Sequence, residues 1–223
     1  MERISTAARV ADLLRERISA GEIEPGARIV ELEIARELSV SRSPIREALL
    51  KLSEEGLVKI LPYRGAVVAA LRREQIKELL EFRLALERFA LERLVEGRDR
   101  HAFDMLKEHV VAISDAIAKK NFRGAVNADL ETHRAIVKLA GNQLLTQAYD
   151  GLLARIRLYI RITSERYERV EDLADEHVAL LDAVERGDGV LAQRILDAHI
   201  LHGFEEALRG VPDESAGGAT ETA

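Results

Sequence analysis

Asp129, His133, His177 and His199 are the residues of this chain whose types and spacing point most directly to chemistry. Asp129 and His133 are four apart, so on a helix they share one face about one turn apart. His177 and His199 lie on either side of Gly187-Asp188-Gly189 and nearly equidistant from it. If that stretch turns two antiparallel helices, the two histidines come level. Three helices can then carry one carboxylate and three imidazoles to a single point, which is how metal sites in helical bundles are built. Mixed nitrogen and oxygen ligation suits a divalent ion such as Zn, Ni, Fe or Mn without choosing among them. The competing reading is that an Asp/His pair at i,i+4 sits on a solvated face and that the other histidines merely pack. His101 and His109 have no comparable geometric argument and read as structural. His202 is one turn from His199 but is not counted among the site residues.

The arginines need the same weighing. Arg83 falls among Leu79, Phe82, Leu86 and Ala90, close to an apolar stripe where a charge requires a partner. Either Glu87 or the carboxylate of a ligand would serve. Arg134, Arg155, Arg157 and Arg161 read as solvated or salt-bridged, given the abundance of Glu.

The elements that must position these residues are helices. From Arg72 onward the periodicity predicts helices near Glu74–Glu96, Arg100–Lys119, Arg123–Leu139, Gln143–Ser164, Val170–Arg186 and Val190–Arg209, with no strand signal. The breaks fall at Gly97, Asn121, Gly141-Asn142, the charged stretch 165–169 and Gly187–Gly189. Six such helices make an all-α antiparallel bundle with its own core, spanning 72–209. The Gly/Ser/Thr/Ala-rich residues 210–223 read as a disordered tail.

Residues 1–71 have a different character. A helix is expected over Ser5–Ser19, and Gly21 and Pro25-Gly26 break it. The run from Ile29 to Gly56 then reads as two short helices joined by a tight turn. Ile34, Ala35 and Leu38 would face Ile45, Ala48, Leu49 and Leu52, with Val40 filling the corner. That is the pattern of a helix-turn-helix. Pro44 reads as a first helical residue and Ser43 as its cap. Two β-type runs follow, Leu57–Leu61 and Ala66–Ala70, linked by Pro62-Tyr63-Arg64-Gly65. Three helices and a hairpin make a winged helix, which leaves Arg42, Ser43, Arg46, Leu50 and Lys51 facing outward. Arg42 and Arg46 are one turn apart and suited to guanine edges, whereas Ser41, Ser43, Lys51 and the wing-tip pair Arg64-Gly65 suit phosphates.

Composition agrees with a foldable protein of 223 residues, 47% hydrophobic and 32% charged. The net charge of −6 looks awkward for a nucleic-acid binder. However, residues 1–70 are about neutral, and phosphate binding depends on local placement. No cysteine is present, so disulfides and Cys-based metal sites are excluded. No run reaches the roughly 20 apolar residues of a membrane span, and the first residues lack a signal-peptide core. A cytoplasmic protein is expected.

The run PGARIVELEIARELSVSRSPIREALLKLSEEGLV, followed by RGAVV, resembles the N-terminal domain of GntR-type bacterial transcription regulators. FRLALE at 82–87, Asp129 and His133, AGNQLL at 140–145, His177 and His199 resemble the FCD-type effector domain of the FadR branch. Six effector helices are closer to its VanR-like subgroup. The resemblance implies a homodimer that binds a palindromic operator and senses a small organic acid. It also implies a divalent metal held by Asp129, His133, His177 and His199, with Arg83 and Asn142 as expected effector contacts. Two departures stand out. Thr132 occupies a place where an aromatic is common, and Leu32 one where some relatives carry a DNA-contacting arginine.

A rival from another class is a helical-bundle metalloenzyme acting on a small carboxylate, with Glu131 or Glu176 as general base. Both glutamates are expected to point away from the ligand faces, and this reading leaves the winged helix unexplained. A metal-free interaction module is the third possibility.

Overall fold

The computed structural model describes residues 5–62, 64–70, 72–164 and 172–208. By packing, these divide into two compact units. The first holds residues up to Arg72 together with Gly151–Ile162, and the second holds Arg73–Asp150 and Thr163–Pro212. The side chain of His202 and the stretch 210–223 lie outside the described residues.

In the first unit, α1 (Thr6–Ala20) starts where the Ser5 side chain accepts a hydrogen bond from the Ala8 amide, and it stops at Gly21 in the left-handed conformation. The strand β1 (Arg28–Ile29) leads into α2 (Glu31–Glu37) and α3 (Arg42–Glu54). Strands β2 (Val58–Leu61) and β3 (Gly65–Val68) follow. The order β1-β3-β2 makes a three-stranded antiparallel sheet, with Arg28 opposite Val67 and Lys59 opposite the same residue on the other side. The hairpin expected from the sequence is therefore one half of the sheet. β1 is only two residues long and carries no periodicity that could announce it. The start of α3 also differs from expectation. Ser41 is its N-cap residue, Ser43 lies inside the first turn with its hydroxyl 3.2 Å from Glu47, and Pro44 is the third helical residue. Pro is tolerated there because the first-turn amides have no intrahelical acceptor.

The core of this unit is Leu14 and Ile18 of α1 and Ile45, Leu49 and Leu52 of α3, closed by Leu57, Val58, Ala66 and Val68 of the sheet. Ala154 and Leu158 pack into the same cluster. Arg155 donates through Nε to the Glu55 carbonyl at the end of α3, 3.0 Å away. Gly65 fixes the start of β3. Its φ is +85°, and a Cβ there would lie 2.5 Å from the Ile29 carbonyl oxygen. Gly65→Ala is expected to cost about 1–2 kcal/mol for the left-handed backbone alone, and more for the backbone overlap. Chemical denaturation of this variant should show that loss, and a parent-like midpoint would contradict the account.

The second unit is built from α4 (Arg73–Gly97), α5 (Arg100–Ala118), α6 (Phe122–Leu139), the first turns of α7 (Gln143–Ser164), α8 (Leu173–Glu185) and α9 (Gly189–Leu208). α5 packs on α6 and α8, and α4 packs on α6, α8 and α9. Asp99 and Asn121 cap α5 and α6 through their side-chain oxygens. α4 turns an unusual set inward, since Arg83 and Glu87 are buried beside Leu80, Leu84 and Leu91. Two charges on the inner face of a helix have to be explained by what they meet.

Candidate functional site

The bundle brings Asp129 and His133 of α6, His177 of α8 and His199 of α9 to one point. All four are buried, and one ligand atom from each lies within 4.8 Å of the others. Asp129 Oδ1 is 3.6 Å from His133 Nε2 and 3.3 Å from Nε2 of both His177 and His199. The rings are 4.8–5.2 Å apart between centroids. α8 and α9 form the antiparallel hairpin that makes His177 and His199 level, and α6 presents its i,i+4 pair to them.

Each imidazole is oriented from behind. His133 Nδ1 is 2.6 Å from Glu87 Oε2, His177 Nδ1 is 2.7 Å from the Leu173 carbonyl, and His199 Nδ1 is 2.7 Å from Glu176 Oε2. A carbonyl or an ionised carboxylate can only accept, so every Nδ1 carries the proton and donates. The three Nε2 atoms are thereby directed at Asp129, an arrangement that fixes tautomer and ring plane for metal ligation. Asp129 Oδ1 and the Nε2 atoms of His133 and His177 are buried without a hydrogen-bond partner. Burial of such atoms is costly unless something else meets them. One carboxylate and three imidazole nitrogens suit a divalent transition metal, so the cluster could hold one.

The protonation states support the same picture. Burial raises the Asp129 carboxyl, but the nearby His133 and then His199 imidazoles outweigh this and hold it well below its ordinary range. Desolvation lowers His177 to about 4, so it is neutral. Desolvation also pulls His199 down, yet the adjacent Asp129 carboxylate and the hydrogen bond to Glu176 win and raise it to about 9. His199 thus carries a second proton, on Nε2, which a metal at that nitrogen would displace.

Glu87 anchors a wider buried network. Its Oε1 accepts from Arg83 Nε at 2.6 Å and from the Tyr149 hydroxyl at 2.7 Å, while Oε2 accepts from His133. Burial opposes ionisation of Glu87, but the charge of Arg83 and then of His133 holds its carboxyl well below the ordinary range. Arg83 therefore has a protein partner, and its Nη2 remains buried without one. Glu176 departs from expectation, since it reaches back to His199 instead of pointing away. Glu131 lies 3.6 Å from Arg134. Thr132 is buried and donates to the Ala128 carbonyl at 2.8 Å. The Asn142 side chain accepts from the Leu145 amide at 3.1 Å, a cap for α7. The sequence alone gave no sign of Tyr149, whereas Glu87, one turn from Arg83, was visible as an ion-pair partner only.

The first unit carries a separate feature. A groove of about 590 Å³ is lined by Arg28, Glu31, Leu32, Arg42, Arg46, Ile60, Leu61, Arg64 and Gly65, among others. It runs between the start of α3 and the loop joining β2 to β3. Arg42, Arg46, Arg64 and Gly65 of the expected DNA-facing set lie on it. Ser41, Ser43 and Lys51 are exposed on α3 and are not among its described walls. Arg28, missed by pattern, donates through Nε to the Arg64 carbonyl at 2.8 Å and so ties β1 to that loop.

Residues 6–68 match the family described as bacterial regulatory proteins, gntR family, and residues 78–202 match the FCD domain. The chain belongs to the GntR family. It is a GntR regulator whose winged helix is followed by an FCD domain. Over 193 residues it is 32% identical to the gluconate operon transcriptional repressor of Bacillus licheniformis, covering 84% of this chain and 79% of that protein. It is 31% identical over 196 residues to the corresponding repressor of Bacillus subtilis strain 168, with coverage of 86% and 80%. A GntR transcriptional regulator structure from Rhodococcus sp. RHA1 shares the fold, with a TM-score of 0.80 at 24% identity over 92% of this chain and 99% of that one. The GntR regulator described here is accordingly a DNA-binding transcriptional regulator, and the metalloenzyme reading is set aside. Among the described residues no helix is long and apolar enough to cross a membrane.

Proposed function

We propose that this GntR regulator binds a palindromic operator as a homodimer in the cytoplasm. On this reading, a small organic acid held at a metal-containing pocket of the FCD domain controls the binding. The observation that carries the sensing half is the convergence of three Nε2 atoms on the Asp129 carboxylate, each imidazole fixed from behind. A divalent ion (Zn, Ni, Fe or Mn) held by Asp129, His133, His177 and His199 would supply a Lewis-acidic anchor for a carboxylate. Arg83, with a buried Nη2 still to be satisfied, is suited to the same acid. Asn142 is kept as a second effector contact. Two relatives are named as gluconate operon repressors, which favours a sugar acid as the effector class. An effector shifts DNA affinity only by its differential affinity for the two states of the regulator.

In the DNA-binding half, Arg42 and Arg46 read guanine edges in the major groove. Ser41, Ser43, Lys51, Arg64 and the Gly65 backbone hold phosphates. Arg46→Ala is expected to weaken operator binding by about 1–3 kcal/mol, roughly 5- to 150-fold. Fluorescence anisotropy on an operator selected from random duplexes measures this, and undiminished affinity would remove α3 from the reading role. The sensing half is tested by elemental analysis of the purified protein, followed by operator titration with and without sugar acids. If no acid changes operator affinity in metal-loaded protein, the effector reading fails.

A further inference from the structure

Glu31, the first residue of α2, stands in the groove beside the two arginines of α3. Its Oε2 accepts from Arg42 Nη2 at 2.7 Å and from Arg46 Nε at 2.9 Å. The Glu31 side chain is 17% exposed, while those of Arg42 and Arg46 are 54% and 60% exposed. One half-buried carboxylate oxygen thus holds two guanidinium groups that otherwise face solvent.

Left to themselves, these arginines would not share one spot. They are like charges at i,i+4, which repel on a helix surface. They also lie near the start of α3, where the helix dipole disfavours cations and where the first turn has no acidic residue to compensate. Glu31 supplies the missing negative charge from a neighbouring element. Burial would raise its carboxyl, but the hydrogen bonds from Arg42 and Arg46 prevail and keep it below its ordinary range. Each guanidinium has five N–H donors in a planar fork, and the bonds to Glu31 use one from each. Arg46 is held by Nε, so both of its terminal nitrogens remain available to an acceptor pair. Arg42 is held by one terminal nitrogen, which leaves Nε and the other terminal nitrogen. Each fork is thus tethered at one nitrogen to the same carboxylate oxygen.

We propose that Glu31 is a positioning residue for operator recognition, its carboxylate fixing the forks of Arg42 and Arg46 so that they meet base edges in one register. This rests on the reading of Arg42 and Arg46 as base-contacting residues. A flexible arginine finds a phosphate almost anywhere, since that contact asks only for charge. Bidentate pairing with a base edge asks for a plane, and ordering the plane in the free protein removes an ordering cost from binding. Glu31 therefore favours specific over non-specific binding, although it places a negative charge in a groove meant for DNA.

The two effects have opposite signatures, which makes the proposal testable with the full-length protein. Affinities of the parent, Glu31→Ala and Glu31→Gln are measured by fluorescence anisotropy over a range of salt. The probes are the selected operator duplex and a scrambled duplex of the same composition. Removing the carboxylate should weaken operator binding on the order of tenfold. Binding to the scrambled duplex should stay the same or tighten, with a steeper salt dependence because one repulsive charge is gone. The ratio of the two affinities therefore falls. Glu31→Gln keeps an acceptor in place, so it should retain part of that ratio, and it serves as the reading if Glu31→Ala fails to fold. A parallel rise in both affinities with an unchanged ratio would overturn the proposal and leave Glu31 as a mere competing charge. Arg42→Ala and Arg46→Ala are measured alongside. If they leave the ratio unchanged, the base-reading assignment itself fails and this proposal with it. If they lower the ratio while Glu31→Ala and Glu31→Gln do not, only the positioning role is lost.

Discussion

On the proposed reading, Asp129→Ala should remove most of the stabilisation that a divalent metal supplies. Asp129 is the one carboxylate among the four candidate ligands, and its Oδ1 lies within 3.6 Å of all three Nε2 atoms. Losing an outer partner of a metal ligand typically costs 10–100-fold in affinity, so loss of the ligand itself should cost about a hundredfold or more. A metal that binds only the folded state at a thousandfold excess over its Kd stabilises by about 4 kcal/mol, which for a protein of this size raises Tm by roughly 10 °C. Differential scanning calorimetry of metal-stripped protein, with Zn or Ni added back, should show that rise in the parent and about a third of it or less in Asp129→Ala. Equal rises in both would place the metal elsewhere. A metal at His199 Nε2 would also release a proton, because His199 is raised to about 9.

Glu87→Ala should be among the most destabilising single changes in the bundle. Arg83 and Glu87 have side chains 5% and 0% exposed, and their ion pair spans 2.6 Å. Removing one member of a buried pair typically costs about 3–5 kcal/mol, because the other charge is stranded. Here the loss also deprives the Tyr149 hydroxyl and His133 Nδ1 of their acceptor. Glu87→Gln removes the charge while keeping the shape, so it should weaken metal binding by about 10–100-fold through His133. The double variant Arg83→Met/Glu87→Leu should recover much of the stability but not the metal affinity. Denaturant titration and metal competition measure these two outcomes separately. A Glu87→Ala protein as stable as the parent would refute the account.

The acid limb follows with a definite sign. The folded carboxyl of Glu87 is held below its unfolded value of about 4.3. Its contribution is therefore present in full above that value. It erodes as the pH falls from there towards the folded value, when protonation begins to compete with the pairing to Arg83.

The metal candidates were legible in the chain because their geometry is local. An i,i+4 spacing fixes Asp129 relative to His133, and equal distances from one glycine turn fix His177 relative to His199. The helix-turn-helix was legible for a similar reason, since the apolar spacing of α2 and α3 already encodes their crossing. The two-residue strand β1 was not, because a strand that short exists only through its partner β3. The start of α3 shows the limit of reading ends from residue type, since Ser41 and not Ser43 takes the N-cap position and its side chain makes no capping hydrogen bond.

Sequence by itself determined that this chain is a winged helix followed by a helical FCD domain, and which four side chains are candidates for a metal. Periodicity and turn residues act over a few residues, and so they survive without a structure. Only the tertiary structure decided what stands behind those side chains. Glu87 meets Tyr149 across 62 residues of chain, Glu176 meets His199 across 23, and Glu31 meets Arg46 across 15. Such pairs depend on how separate helices cross and on which charges burial forces together, and no spacing rule within one helix carries that information.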